Sequence, residues 1–311
     1  MKKLIWAFLL SASSWAYAGL EEGIAAYQKD DYARAFKEFK PLAERGDQEI
    51  QGYLAAMYLT GKGVPKDDTQ AVHWFKKAAE QGNIEAQYYL AILFQKGQGV
   101  PKDDPQAVYW FKKAAEQGNI KAQYYLAELY ANGQSVPKDF TQAVYWYKKA
   151  AEQGLPDAQY KLADLYLNGR GVPKDYTQAL HLYKKAADQG LPDALNSIAM
   201  MYRNGIGVPQ DYSQALYWYK ILAEQAKASA LVALAGMYYD GHGVTQNYKI
   251  AYILINVADM LDTAKYSALA PSYIATKLSS TELKDAERIS TQLQNSRNFG
   301  IDLRKFLDSH Q

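Results

Sequence analysis

The sequence predicts an all-α protein, a right-handed α-solenoid of helix-turn-helix repeats with about six 36-residue units and capping helices. The phrase GKGVPKDDTQAVHWFKKAAEQGN at 61–83 returns as GQGVPKDDPQAVYWFKKAAEQGN at 97–119. Steps of the same length from Gly61 reach a glycine at positions 97, 133, 169, 205 and 241. Such a period is typical of stacked helical pairs that bury a continuous core between neighbours.

Each repeat is predicted to contain two helices, as the segment 82–117 illustrates. Its first half has apolar residues at helical spacing, which predicts a helix A that ends at Gly97 and cannot pass Pro101. Asp103 precedes a glutamine by three residues, which is a capping-box-like start for a second helix, B. Gly118 then stands where helix C-caps favour glycine.

Two kinds of residue recur at fixed positions in these helices and are predicted to form the core. Alanine columns allow the helices to approach closely, and an aromatic column on helix B is expected to fill the gaps between them. The members of the aromatic column are Trp74, Trp110, Trp146 and Trp218.

The flanks of the array indicate export and capping. Residues 1–18 have a positive start, an apolar stretch and an A-x-A site, which predicts a signal peptide cleaved after Ala18 and a periplasmic protein, with secretion as second choice. Residues 19–45 are predicted to form an N-terminal capping hairpin, 46–261 the six repeats, and 262–311 C-terminal capping helices and a tail. The capping box Ser279-x-x-Glu282 predicts a helix that ends near Gln294.

Composition limits the function classes. The formal charge of +2 becomes 2 − 2 = 0 without Lys2 and Lys3, so there is no electrostatic footprint for nucleic acid or anionic lipid. The apolar stretch 251–261 is too short to span a bilayer, which predicts no stable membrane insertion. The chain has no cysteine, so burial and not disulfide bonding must hold the fold together.

The pattern G-x-G-V-P-K-D, Q-A, W-[FY]-K-K-A-A and E-Q-G resembles Sel1-like repeats, which are relatives of the tetratricopeptide repeat. The resemblance covers residues 46 to about 261, with Ser135 in place of a loop glycine in the third repeat and a degenerate sixth repeat. It implies an α-solenoid that binds a protein or peptide partner, as a scaffold, an adaptor or an immunity protein for a secreted effector. The alternative is a cell-wall-active or β-lactam-hydrolysing enzyme, as suggested for cysteine-rich relatives.

Candidate chemistry is sparse, and we infer that the chain is not an enzyme and needs no cofactor. Four scattered histidines and no cysteine make a metal site improbable. Ser135 and Lys138 match the S-x-x-K motif of β-lactamases, but that chemistry needs both residues on one helical face and Pro137 places them in a loop. The paired acids that begin with Asp67 and Asp103 occupy the N-cap column of helix B, where carboxylates satisfy backbone N–H groups.

The partner site is predicted on the face of helix A opposite the constant columns, which lines the concave side in solenoids of this kind. Tyrosine there supplies a large amphipathic surface with few rotamers to immobilise, although the same tyrosines could simply pack against the neighbouring helix A. A second candidate surface is a column on the convex side of helix B, for which packing between helices is the favoured explanation: His73, Tyr109, Tyr145, His181 and Tyr217. The predicted partner-binding residues are Tyr53, Glu85, Tyr88, Tyr89, Lys121, Tyr124, Tyr125, Glu128, Asp157, Tyr160, Lys161 and Asp164. The oligomeric state stays open.

Overall fold

The structure is a computed structural model that describes residues 14–261 and 271–310. Across these residues every regular element is a helix, and the predicted all-α fold of repeated helix pairs is confirmed. None of these helices is long and apolar enough to cross a membrane. The helices are α1 (Ser14–Gln28), α2 (Tyr32–Glu44), α3 (Gln48–Thr60), α4 (Asp68–Glu80), α5 (Ile84–Lys96), α6 (Asp104–Glu116), α7 (Ile120–Asn132), α8 (Phe140–Glu152), α9 (Pro156–Asn168), α10 (Tyr176–Asp188), α11 (Pro192–Asn204), α12 (Tyr212–Glu224), α13 (Ala228–Asp240), α14 (Tyr248–Leu261), α15 (Pro271–Ala275), α16 (Ser280–Gln294) and α17 (Phe299–Asp308).

The chain divides into two compact units. The first is Met1–Gln153, whose described helices are α1–α8, and the second is Gly154–Gln311, with α9–α17. From α3 onward the odd-numbered helices up to α13 are the A helices of repeats 1 to 6, and the even-numbered helices up to α14 are the B helices. The apolar segment behind the signal-peptide prediction lies in residues 1–13, outside the described residues, and α1 begins at Ser14.

Helix boundaries follow the signals in the sequence. Gly97 ends α5 in the left-handed region at φ 66°, where its N–H donates to the carbonyl of Leu93. Asp103 caps α6, because its carboxylate accepts from the N–H of Gln106 at 2.9 Å. The aspartates that precede α4, α8, α10 and α12 cap their helices in the same way, which confirms the structural role predicted for this acidic column.

The core is built from the predicted columns. In the first unit Trp74, Trp110 and Trp146 are at most 8% exposed, and the alanine columns are buried beside them. In the second unit Trp218 is half-buried against the core. Burial of this much apolar surface between successive helices is the main stabilising contribution in a repeat array.

A ladder of buried glutamines links successive repeats in the first unit, and the sequence analysis did not identify it. The side-chain amide of Gln87 donates to the carbonyl of Ala79 at 3.1 Å, and its oxygen accepts from Nε2 of Gln117 at 2.8 Å. Gln51 and Gln123 make the same pair of bonds one repeat earlier and one repeat later. Each rung therefore satisfies a carbonyl at the end of one B helix and ties it to the end of the next.

The C-terminal helices cap the second unit. The predicted capping box is confirmed, since Ser279 and Glu282 exchange hydrogen bonds at the start of α16, which ends at Gln294. The segment after it, which the sequence left unassigned, contains α17. This helix lies on α12, where Arg304 makes a two-pronged ion pair with Glu224, and Lys220 lies 3.8 Å from Asp308.

Candidate functional site

A row of tyrosines runs along the A helices of the first unit, as the sequence predicted. Tyr89 stacks on Phe75 of the preceding B helix with a centroid separation of 5.4 Å, and Tyr125 stacks on Phe111 at 5.7 Å. Tyr53 lies 5.8 Å from Phe39, with the two rings tilted by 33°. Each ring is thus held by a phenylalanine from the helix before it.

Tyrosine rings on the A helices also contact one another, both within one helix and, through Tyr88 and Tyr125, between neighbouring A helices. Tyr88 lies 5.3 Å from Tyr89 and 6.0 Å from Tyr125, and Tyr125 lies 6.0 Å from Tyr124. We name these residues, together with Tyr53, the tyrosine ladder. These contacts show that packing explains part of the recurrence of tyrosine, because the rings contact residues of neighbouring helices.

Exposure differs strongly along the tyrosine ladder. Tyr125 is 40% exposed, whereas Tyr88 is only 7% exposed, and the other members are half-buried. Burial raises the pKa of the Tyr88 hydroxyl well above its usual range, and it raises the pKa of Tyr53 as well. Tyr88 is therefore a buried packing residue, and Tyr125 is the most exposed ring of the tyrosine ladder.

Two acidic residues of the predicted site in the first unit are engaged within the fold. Glu85 accepts a hydrogen bond at 3.0 Å from Nδ2 of Asn119, the residue that caps the next A helix. Glu128 accepts from the hydroxyl of Tyr147, a fully buried residue of helix B. These carboxylates therefore orient neighbouring groups, while Lys121, on the same helix as Tyr125, is exposed.

The remaining four predicted residues lie in the second unit. Asp164 accepts from the hydroxyl of Tyr183, and burial raises the pKa of this carboxyl despite that hydrogen bond. Tyr160 is half-buried, with its ring 5.6 Å from that of Tyr183, and burial raises its pKa. Lys161 is half-buried as well, and Asp157 is exposed in the first turn of α9.

The column on the B helices is exposed, so the prediction that it packs between helices is wrong. Tyr109, Tyr145 and Tyr217 are 48%, 50% and 56% exposed, and His73 and His181 are exposed as well. The physical reason is the helix register. The tryptophan one position later occupies the buried side, which turns the residue before it outward. Each of these tyrosine rings meets its neighbouring tryptophan edge-on, at 4.8–5.2 Å.

The catalytic motif weighed from the sequence has the geometry of a turn. Ser135 lies in the loop before α8 with φ 65°, and Nζ of Lys138 lies 4.9 Å from the ring centre of Phe140. Serine and lysine therefore do not share a helical face, as the S-x-x-K chemistry requires. Among the described residues there is also no group of three or more histidine and acidic side chains that could hold a metal ion.

Comparisons with known proteins agree with this architecture. The Sel1 repeat family model matches six successive segments, 51–83, 84–119, 120–155, 156–191, 192–227 and 228–256. A Sel1 repeat protein from Oxalobacter formigenes is 33% identical with a TM-score of 0.64, over 78% of this chain and 100% of that one. The structure of c5321, a protective antigen of uropathogenic Escherichia coli strains with an SLR fold, is 28% identical with a TM-score of 0.58, over 95% of this chain and 72% of that one. No curated protein matches the chain.

Proposed function

Because the chain belongs to the Sel1 repeat family, we propose that it is a non-catalytic interaction module of the bacterial cell envelope that binds a protein or peptide partner on its A helices. Members of this family typically mediate protein–protein contacts. The observation that carries the proposal is the tyrosine ladder of the first unit, in which the rings of Tyr88, Tyr89, Tyr124 and Tyr125 form one connected set of contacts.

The tyrosine ladder has the physical properties of a binding surface. Its rings are already fixed by stacking on Phe75 and Phe111, so little conformational entropy is lost when a partner covers them. Tyr125 offers an exposed ring and hydroxyl, and exposed Lys121 lies one helical turn before it. Aromatic anchors with a nearby charge are the residues that dominate protein interfaces.

The proposal places the protein in the periplasm, with secretion as the second choice. It rests on Lys2, Lys3 and the apolar stretch that follows them, with cleavage after Ala18. A scaffold, an adaptor and an immunity protein for a secreted effector all fit an exported module of this kind. The geometry of the S-x-x-K motif does not favour the enzyme alternative. Its serine and lysine lie in a turn, and the ammonium of Lys138 lies over the ring of Phe140.

The test uses the chain from residue 19 to residue 311 as bait in a periplasmic extract, followed by affinity measurements on the captured partner. Truncation of Tyr125 to alanine should weaken binding by about 2 kcal/mol, which is about 30-fold, if this ring is a central anchor. The matched control is Tyr217→Ala, which removes an exposed ring from a B helix of the second unit, away from the tyrosine ladder.

The single substitution is preferred to the removal of several ring residues. Tyr53 and Tyr89 are half-buried against Phe39 and Phe75, so their loss would lower stability more than the loss of Tyr125, which is 40% exposed. An unchanged affinity in Tyr125→Ala, with the melting temperature preserved, would exclude the tyrosine ladder as the binding site.

A further inference from the structure

We propose that the first unit has a second docking surface, on its B helices, that accepts an acidic helix of a partner protein. The surface consists of one exposed ring and one lysine from each of three successive B helices. We name it the B-helix stripe, and its members are His73, Lys77, Tyr109, Lys113, Tyr145 and Lys149. It is separate from the tyrosine ladder, which lies on the A helices.

The first evidence for this docking surface is that its tyrosine rings are exposed and held in a fixed orientation. Tyr109 and Tyr145 occupy the same position in successive repeats, and about half of each side chain faces solvent. Their rings are held edge-on by Trp110 and Trp146 at 4.9 and 4.8 Å. Large aromatic side chains that are both exposed and fixed in place are typical of interface anchors.

The lysines give the stripe a positive charge. The second halves of α4, α6 and α8 contain six lysines and three glutamates, which gives +6 − 3 = +3. The first lysine of the pair approaches a glutamate on its own helix in α4 and α6, with Lys76 at 3.9 Å and Lys112 at 4.0 Å. The second lysine lies over an aromatic ring, as Nζ of Lys113 does at 5.7 Å from the centre of Tyr109.

These second lysines have no acidic partner in the part of the chain that the structure describes. Among the described residues no carboxylate lies within 4.0 Å of Nζ in Lys77, Lys113 or Lys149. An approaching carboxylate can therefore pair with them without displacing an existing ion pair. A partner with acidic side chains flanking an apolar face complements both the ammonium groups and the rings.

The second unit provides an internal example of a helix docked on a B helix. There α17 covers α12, with Asp308 of α17 beside Lys220 and Arg304 against Glu224. Lys220 and Glu224 are the repeat equivalents of Lys112 and Glu116. A B helix of this chain therefore accepts a second helix beside the stripe position, and an acidic side chain of that helix faces its first lysine, while the ring of Tyr217 at the stripe position stays 56% exposed.

The difference between the two units specifies the charge of the partner. At the position of Lys113 the covered helix α12 has Ile221, an apolar residue packed against the core of the second unit. The stripe retains a lysine there in all three B helices. A helix that covers the stripe must neutralise these extra charges, so it is more acidic than α17.

The experiment measures binding of a labelled synthetic amphipathic peptide, with leucine along one face and glutamate on both sides, to the full chain. Fluorescence anisotropy should show saturable binding that weakens between about 0.15 M and about 0.5 M salt. A peptide with lysine at every glutamate position should not bind. The variant Lys113→Glu/Lys149→Glu should weaken binding at least about tenfold, because like charges then face each other.

The matched control is Lys29→Glu/Lys96→Glu, which makes the same charge change at two exposed lysines of the first unit away from the stripe. Its affinity should stay within about twofold of the unchanged chain, while Tyr109→Ser/Tyr145→Ser should also weaken binding about tenfold. Equal losses in the two charge variants would reduce the effect to net charge and overturn the proposal. Self-association of the unchanged chain that Lys113→Glu/Lys149→Glu abolishes would also overturn it, since a second copy would then be the occupant.

Discussion

Two residues hold a backbone conformation that glycine holds in the equivalent positions. Ser135 has φ 65° where the loops of other repeats have a glycine, and Ala226 has φ 56° where earlier repeats end helix B with one. The loop position also lacks space. A Cβ built on Gly99 would lie 2.2 Å from the carbonyl oxygen of Asp68 in the preceding B helix. Both residues thus carry a left-handed backbone, and the loop around Ser135 must additionally make room for a side chain.

Replacement of either residue by glycine should therefore stabilise the protein. We expect Ser135→Gly and Ala226→Gly each to raise the free energy of unfolding by about 1 kcal/mol, because glycine adopts positive φ without a steric penalty. Urea denaturation, with the midpoint compared at constant slope, measures this effect. Gly99→Ser is the reverse control and should destabilise the protein by more than that amount. A lower midpoint for Ser135→Gly would mean that the serine side chain makes a compensating contact.

Tyr183 shows how a buried hydroxyl connects stability to pH. Its position holds phenylalanine at Phe75 and Phe111 and tyrosine at Tyr147, and the hydroxyl of Tyr183 donates to Asp164. Burial is the first cause that raises the pKa of Tyr183 far above its usual value, followed by the hydrogen bond to Asp164. The folded state therefore keeps a proton that the unfolded chain releases above about pH 10.

The sign of the resulting pH dependence follows from this difference in bound protons. The contribution of Tyr183 to stability is complete below about pH 10 and is lost as the pH rises further. We expect Tyr183→Phe to flatten the fall in unfolding free energy between about pH 9 and about pH 11, and to lower stability at neutral pH because Asp164 loses its donor. Tyr217→Phe, at a ring that is 56% exposed, should follow the unchanged protein. An identical alkaline slope in Tyr183→Phe and the unchanged protein would contradict the assignment.

At the level of single helices, the sequence predicted most of what the structure shows. Gly97 and Asp103 predicted the end of α5 and the start of α6, because positive φ and side-chain capping are local properties of those residues. The glutamine ladder was missed because glutamine is polar, and a polar residue on a helix is expected at the surface, whereas Gln87 is buried. Its burial arises only when Ala79 and Gln117 from two other helices surround it. The available signal was the recurrence of glutamine at 51, 87, 123 and 159.

The contacts of the candidate site were also less predictable from the sequence, because they too join residues of different helices. A helical wheel correctly placed Tyr125 on the accessible side of α7, but it could not show that Asn119 engages Glu85 or that Tyr147 engages Glu128. Those contacts join residues from different helices. They depend on packing distances and not on periodicity within one helix.

Helix register on the B helices can be tested by two neighbouring aromatic residues of α6. Trp110 is 8% exposed and Tyr109 is 48% exposed. Trp110→Ala removes a large buried side chain, for which we expect a loss of about 3–5 kcal/mol in the free energy of unfolding. Tyr109→Ala, the control, should cost less than about 1 kcal/mol in the same denaturation experiment. Similar losses in both variants would contradict the register that places the B-helix stripe on the surface.

The behaviour of the whole molecule follows from a chain in which each repeat is stabilised mainly by its neighbours. The sequence of α12 differs from the other B helices at the place where α17 packs on it. The K-K-A-A-E of α4, α6 and α8 becomes K-I-L-A-E in α12. Ile221 in place of the second lysine is the adaptation to α17, whose Leu303 and Leu307 are buried. This departure from the repeat was the signal that could have located the docking of the C-terminal helix.

Removal of α17 should therefore destabilise one end of the chain and leave the other unchanged. A chain that stops after Asn295 loses Leu303, Leu307 and the ion pair of Arg304 with Glu224, and it exposes Ile221 on α12. We expect amide hydrogen exchange to accelerate in α11–α14, where the lost contacts end, and to stay unchanged in α3–α6. Arg304→Ala is the milder control, because it removes an exposed ion pair while the leucines stay in place, and its effect on exchange should be small. Equal acceleration in α3–α6 would contradict nearest-neighbour stabilisation, since the loss of a terminal helix would then unfold the array as one cooperative block.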